Sequence, residues 1–88
     1  MSKLNITFTP TAFSDYNYWL QQDRKILKKI NCLIKSIQRN GVTEGEGKPE
    51  PLKGELQGYY SRRINREHRL VYTIEDNHII IIACRYHY

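Results

Sequence analysis

The last four residues, Arg85-Tyr86-His87-Tyr88, set an imidazole one residue from the terminal carboxylate, beside a guanidinium and two phenols. A neighbouring negative charge favours the protonated imidazole, and a histidine protonated near neutrality can give its proton to a leaving group. Upstream, Lys48-Pro49-Glu50-Pro51 places a carboxylate between two prolines. Each proline fixes its own φ and drives the preceding residue to extended backbone, so Glu50 is offered from a stiff segment. Arg63 and Arg69 follow. Cleaving RNA without a metal requires a base for the 2′-hydroxyl, cations for the extra charge on phosphorus and an acid for the departing 5′-oxygen. Glu50, Arg63 with Arg69, and His87 supply those three parts. Each also has a plainer reading, as a solvated loop carboxylate, surface arginines and a frayed chain end. A carboxylate with the ordinary pKa near 4.3 is a poor base for a hydroxyl, so efficiency must come from positioning the substrate.

The elements that must position these groups are legible in the spacing. Leu4, Ile6 and Phe8 alternate with polar residues, as in a strand with one buried face. Thr9-Pro10 reads as a helix start, and Phe13, Tyr16, Trp19 and Leu20 fall at helical spacing up to about Gln22. Asp23 caps a second helix, about Arg24 to Arg39, in which Ile26, Leu27, Ile30, Leu33, Ile34 and Ile37 share an arc of roughly 120°. Opposite lie Arg24, Lys25, Lys28, Lys29, Lys35 and Arg39, a face suited either to solvent or to phosphate. Glycines and glutamates then break all periodicity from residue 41 to 54, a long loop. Three strands follow, about Tyr59 to Asn65, Arg69 to Glu75 and Ile79 to Tyr86, pairing antiparallel through short turns. The expected fold is α+β, in the order β-α-α-β-β-β, with two N-terminal helices after a first strand packed on an antiparallel sheet.

The last hairpin poses a question of register. A two-residue loop at Asp76-Asn77 opposes Glu75 to His78 and separates Arg69 from Arg85 and His87. A three-residue loop through His78 pairs Glu75 with Ile79 instead. It gathers Leu70, Tyr72, Ile74, Ile80, Ile82 and Cys84 on one apolar face and Arg69, Arg85 and His87 on the other. A one-residue slip flips a whole strand, and the cleaner segregation favours the three-residue loop.

At 88 residues the chain has room for a single domain, residues 1–88, with one small core. Its 40% hydrophobic and 26% charged content is that of an ordinary globular protein. Fourteen Lys and Arg against nine Asp and Glu give a net charge of +5, which suits a polyanion. Cys32 and Cys84 form no CxxC and have no histidine at ligand spacing, so neither zinc nor a disulfide framework is indicated and a reducing cytoplasm fits. No metal or other cofactor is expected. The longest apolar run, Ile79 to Cys84, is six residues, far short of a membrane span, and no signal peptide is visible. His68, beside Arg69, reads more readily as structural or solvated than as catalytic. His78 falls in the hairpin loop, and Cys32 lies on the basic side of its helix without an evident role.

Taken in order, Gly47-Lys48-Pro49-Glu50-Pro51-Leu52, Gly58-Tyr59-Tyr60-Ser61-Arg62-Arg63-Ile64, Glu67-His68-Arg69-Leu70-Val71-Tyr72 and Cys84-Arg85-Tyr86-His87-Tyr88 resemble the YoeB/Txe toxins of the RelE superfamily. Tyr18-Trp19 and Lys28-Lys29-Ile30-Asn31 extend the resemblance to almost the whole chain. It implies a RelE-like, microbial-RNase-like fold and a bacterial type II toxin. Such a toxin is an endoribonuclease acting by 2′-hydroxyl transesterification that cuts mRNA in the ribosomal A site, and a YefM-like antitoxin keeps it silent. Carried over by position, the family's catalytic glutamate falls on Glu50, its transition-state arginine on Arg69, its histidine acid on His87 and its terminal tyrosine on Tyr88. Arg63 and Lys53 match further basic positions, and Tyr59 stands where relatives carry an aromatic. Arg62 and Arg85 complete the expected RNA-contacting set. The implied partners are mRNA with the ribosome, the antitoxin and a second copy of the chain, with no membrane. The competing reading is a non-catalytic RNA-binding or antitoxin-binding module of the same fold. It is separated by Glu50, since a carboxylate aimed at phosphate weakens binding and is useful only as a base.

Overall fold

A computed structural model describes residues 4–86. Strand β1 (Asn5–Phe8) leads into helix α1 (Pro10–Gln22), helix α2 (Arg24–Asn40), strand β2 (Glu50–Pro51), a short 3₁₀ turn (Gly54–Leu56), and strands β3 (Tyr60–Arg63), β4 (Arg69–Glu75) and β5 (His78–Ala83). The helix boundaries follow the capping chemistry of the sequence. The Thr9 hydroxyl accepts the Ala12 N–H with Pro10 in the first turn, and the Asp23 carboxylate accepts the N–H groups of Lys25 and Ile26.

The expected α+β fold is present, with two features added. The five strands run in the order β1-β5-β4-β3-β2, and the sheet is mixed because β1 pairs with β5 in parallel. β1 enters through a helical connection rather than a tight turn, which leaves the parallel direction open to it. It forms one edge, where Ile6 is 42% exposed instead of buried, and the Gln38 amide holds its start by donating to the Leu4 carbonyl. The other addition is β2, which puts Glu50 into the sheet opposite Ser61. The helices cover one sheet face, and Trp19, Leu27, Ile30, Leu33 and Ile37 pack there against Leu70, Tyr72, Ile79, Ile81 and Cys84. Among the described residues no helix is long and apolar enough to cross a membrane.

The hairpin corrects one expectation and keeps one part of its consequence, the inward turn of Cys84. Glu75 opposes His78 across a two-residue turn, with Asp76 and Asn77 at φ 49° and 65°, the positive values that a type I′ turn requires. The three-residue loop is therefore wrong. Ile79 and Ile81, not Ile80 and Ile82, face the helices. Further along, the register shifts between Val71 and Tyr72, so that Tyr72 opposes Ile81 but Val71 opposes Ala83. Ile82 is the extra residue of a β-bulge, and its carbonyl accepts the Thr9 hydroxyl. The bulge adds at mid-strand the one-residue offset that the turn lacks. Val71 thus meets the partner the longer loop would have given it, and Cys84 still turns into the core, fully buried.

Candidate active site

Alternation along the paired strands sorts the predicted residues into two faces. Arg62 opposes Leu70 and Tyr60 opposes Tyr72, on the helix side. Arg63 opposes Arg69, and Ser61 opposes both Val71 and Glu50, on the other side. Glu50, Arg63 and Arg69 therefore share one face. Directly opposed side chains have Cβ atoms about 5 Å apart and diagonal neighbours roughly 7 Å or more. Arg63 is thus a diagonal neighbour of Glu50, and Arg69 lies one strand beyond it on the same face.

Like charges set directly across a sheet are destabilising. Among the described residues the one ion pair within 4 Å joins Lys29 to Glu46, so no carboxylate among them is paired with either arginine. The Arg69 Nη1 donates to the Asn65 carbonyl at 3.1 Å, which orients that guanidinium. Beside the pair lies a groove of about 380 Å³ lined by Lys29, Gly47, Lys48, Arg63, Ile64, Asn65 and Arg66. An anion is the natural occupant of such a surface. The Ser61 hydroxyl, cross-strand from Glu50, is the one buried side-chain polar atom without a hydrogen-bond partner among the described residues.

Glu50 is exposed and sits on a firmer base than a long loop suggests. The Arg63 N–H donates to the Gly47 carbonyl at 2.7 Å and the Leu52 N–H to the Tyr59 carbonyl at 2.9 Å, so the backbone is held on both sides of it. Gly47 must be glycine here. Its φ is +89°, and a Cβ would come within 2.7 Å of Leu33 Cδ2 and 3.2 Å of the Arg63 carbonyl.

Arg62 overturns an expectation. It is fully buried and does not belong to an RNA-contacting surface. Its Nε donates to the Tyr72 hydroxyl, Nη1 to Ser36 Oγ and the Glu46 carbonyl, and Nη2 to the carbonyls of Gly41 and Glu44. All five N–H donors are used. The charge is taken up by backbone dipoles, and the residue straps loop 41–47 to the sheet. Burial also raises the Tyr72 pKa above its ordinary value despite the opposing influence of Arg62, so its hydroxyl stays protonated and donates to the Val42 carbonyl at 2.7 Å.

Arg85 is half-buried and has turned to α1. Its guanidinium lies 3.6 Å from the Tyr18 ring centroid and 4.6 Å from that of Tyr86, a cation–π stack rather than a free cation. Lys53 is exposed and precedes the 3₁₀ turn, and Tyr59 is half-buried at the start of β3. His87 and Tyr88 lie outside the described residues. Of the basic face of α2, Lys29 is paired with Glu46 and Cys32 is exposed. Among the described residues no three His, Cys, Asp or Glu side chains gather as a metal site would require.

Sequence reasoning gave no functional part to Trp19 or Asp15 and favoured a structural or solvated His68, yet these groups hold residues 84–86. The Trp19 Nε1–H donates to the Cys84 carbonyl at 2.8 Å, the Asp15 carboxylate accepts the Cys84 N–H at 3.1 Å, and His68 Nδ1 accepts the Tyr86 N–H at 2.6 Å. The available signal was alternation: His68, Leu70 and Tyr72 are spaced by two, which turns His68 to the helix side while Arg69 faces the site.

Comparison with known proteins places the chain in a family. A family model described as the YoeB-like toxin of bacterial type II toxin-antitoxin systems matches residues 8–88. The toxin YoeB of Synechocystis sp. is 56% identical over 85 residues, 97% of this chain and 98% of that protein. Among solved structures, the YoeB dimer from Staphylococcus aureus shares 67% identity at a TM-score of 0.92, covering 99% of this chain and 100% of that one. The heterotetrameric YoeB-YefM toxin-antitoxin complex from the same organism gives 67% and 0.91 with equal coverage. A match over nearly the full length, on a fold that brings the glutamate and both arginines to one face, shows that this chain belongs to the YoeB-like toxins of bacterial type II toxin-antitoxin systems.

Proposed function

We propose that this chain is a ribosome-dependent endoribonuclease that cuts mRNA in the A site and thereby stops translation. The observation that carries the reading is the pair Arg63–Arg69, set cross-strand on the face that holds Glu50. Glu50 takes the proton from a ribose 2′-hydroxyl, and the 2′-oxygen attacks the adjacent phosphorus. Arg69 and Arg63 take up the charge that builds on the pentacovalent phosphate. As the bond from phosphorus to the 5′-oxygen breaks, His87 protonates the leaving oxygen, with Tyr88 completing the terminal part of the site. The products are a 2′,3′-cyclic phosphate, opening to a 3′-phosphate, and a 5′-hydroxyl end. Lys53, Tyr59 and Arg85 are assigned to RNA contacts, none of which involves a metal.

A solved relative is bound to YefM and another is a dimer. By analogy this toxin is held by a YefM-like antitoxin whose acidic segment covers the basic face, and it associates with a second copy. Work on the ribosome puts it in the cytoplasm.

The test is to incubate the purified chain with ribosomes carrying a defined mRNA, with and without chelator, and to map RNA 3′ ends. Cutting in the A-site codon that survives chelation supports the reading. Loss of cutting with the fold intact under chelator would refute the metal-free mechanism. Glu50→Gln separates catalysis from binding: tighter RNA binding without cutting fits a base, and unchanged cutting removes Glu50.

A further inference from the structure

His68 is buried, at 8% exposure, and its ring is enclosed by the two aromatic groups nearest the end of the described chain. Trp19 lies edge-on at 4.7 Å between centroids and Tyr86 tilted at 5.6 Å. Its Nδ1 accepts the backbone N–H of Tyr86 at 2.6 Å, so that nitrogen presents a lone pair and the neutral ring carries its proton on Nε2. The Arg69 N–H donates to the carbonyl of the same Tyr86 at 3.0 Å. Tyr86 thus has both its peptide groups taken by consecutive residues of one strand, and it is held at φ +63°, a left-handed conformation that a bulky residue adopts only under constraint.

We infer that His68 is a positioning residue for the general acid: by accepting the Tyr86 N–H it fixes the backbone from which His87 departs. This rests on the proposed role of His87. His68 touches no reacting atom. Its neighbour Arg69 faces the phosphate side while His68 faces the helices, so one dipeptide sets the transition-state cation and the chain segment that carries the acid. Free rotation at Tyr86 would spread the imidazole over many positions, and a misplacement on the order of 1 Å costs about 100-fold in rate.

Two substitutions divide the ring from the acceptor. His68→Phe keeps an aromatic between Trp19 and Tyr86 but cannot accept the N–H. His68→Asn gives up the ring but sets an amide oxygen close to the Nδ1 position. The full chain, ¹⁵N-labelled, is examined for Tyr86 amide exchange and, with ribosome-bound mRNA, for kcat and KM. His68→Phe is expected to free the Tyr86 amide and lower kcat by roughly 10- to 100-fold with KM little changed, and His68→Asn to restore most of both. A Tyr86 amide that stays protected in His68→Phe overturns the clamp. An amide that is freed while kcat holds overturns the positioning role. Should either variant fail to fold, the unaltered protein still judges the clamp: a His68 Nδ1 resonance typical of a protonated nitrogen at neutral pH overturns it and the positioning role with it, and an unprotonated one coupled to the Tyr86 amide upholds the clamp, with kcat of the variant that folds deciding the positioning role. Failure of the unaltered chain to cut would refute the proposed function instead, and the positioning role with it, while the amide and Nδ1 measurements would still judge the clamp.

Discussion

Residues 41–47 and residues 84–86 each lead into a residue proposed for the chemistry, Glu50 on one side and His87 on the other, but they are held by different groups. The loop is strapped by the buried cation of Arg62, whose donors reach the carbonyls of Gly41, Glu44 and Glu46. The terminal segment is held largely by neutral groups, the Trp19 indole and the His68 imidazole, with Asp15 accepting the Cys84 N–H. A glycine-rich loop has few side chains with which to bury itself, so a donor-rich residue must reach its backbone. The terminal segment brings Cys84 into the core and needs only orientation. The cationic strap is thus bound up with the fold, whereas the neutral clamp can be loosened while the fold persists.

The largest effect expected from this contrast is that of Arg62→Met. It leaves three loop carbonyls and the Tyr72 hydroxyl without their donor, at a cost of about 3 kcal/mol or more, read as a lower urea midpoint. Arg62→Lys should recover only part, since an ammonium has three donors and lacks the planar fork. Trp19→Phe in the other region should cost less, about 2 kcal/mol for one orphaned carbonyl and a small cavity. A Trp19→Phe protein less stable than Arg62→Met would invert the comparison.

A smaller effect separates the regions by pH. Burial, reinforced by Asp15, pushes the Cys84 thiol up to about 12, and burial also raises Tyr72 at the loop strap. A folded pKa above the unfolded value means that the native state holds a proton the unfolded chain has lost. The contribution of these two groups to stability should therefore be flat below about pH 9. For Cys84 it should then fall by roughly 1.4 kcal/mol per pH unit toward pH 12, with Tyr72 adding its own decline above pH 10. Cys84→Ala should remove the earlier decline, and an unaltered slope between pH 9 and 10 would show that the thiol is not its source. Alkylation offers a companion measurement: Cys32, exposed, should react readily and Cys84, buried, only on unfolding.

Much of this was legible in the chain because it depends on local rules. Thr9-Pro10 and Asp23 announced the helix starts, and the apolar stripe of α2 announced its buried face. The parts that escaped depend on atoms without a sequence signature. Arg62 and Arg63 are adjacent and alike, and only the loop carbonyls, present in any sequence, decide that Arg62 is captured inside. The bulge at Ile82 lies within an apolar run whose members are interchangeable by type, so the offset was assigned to the turn. The parallel pairing of β1 with β5 and the use of Glu50 as an edge strand arise from tertiary docking, which periodicity does not encode.

The central claim, that a base and an acid flank a phosphate held by the arginine pair, is tested most directly by the single-turnover rate at which His87→Gln cuts ribosome-bound mRNA. Removal of a general acid costs about 100- to 10,000-fold, and a loss in that range, with the thermal midpoint and antitoxin binding unchanged, is the expected result. A His87→Gln protein that cuts at the full rate would contradict the account.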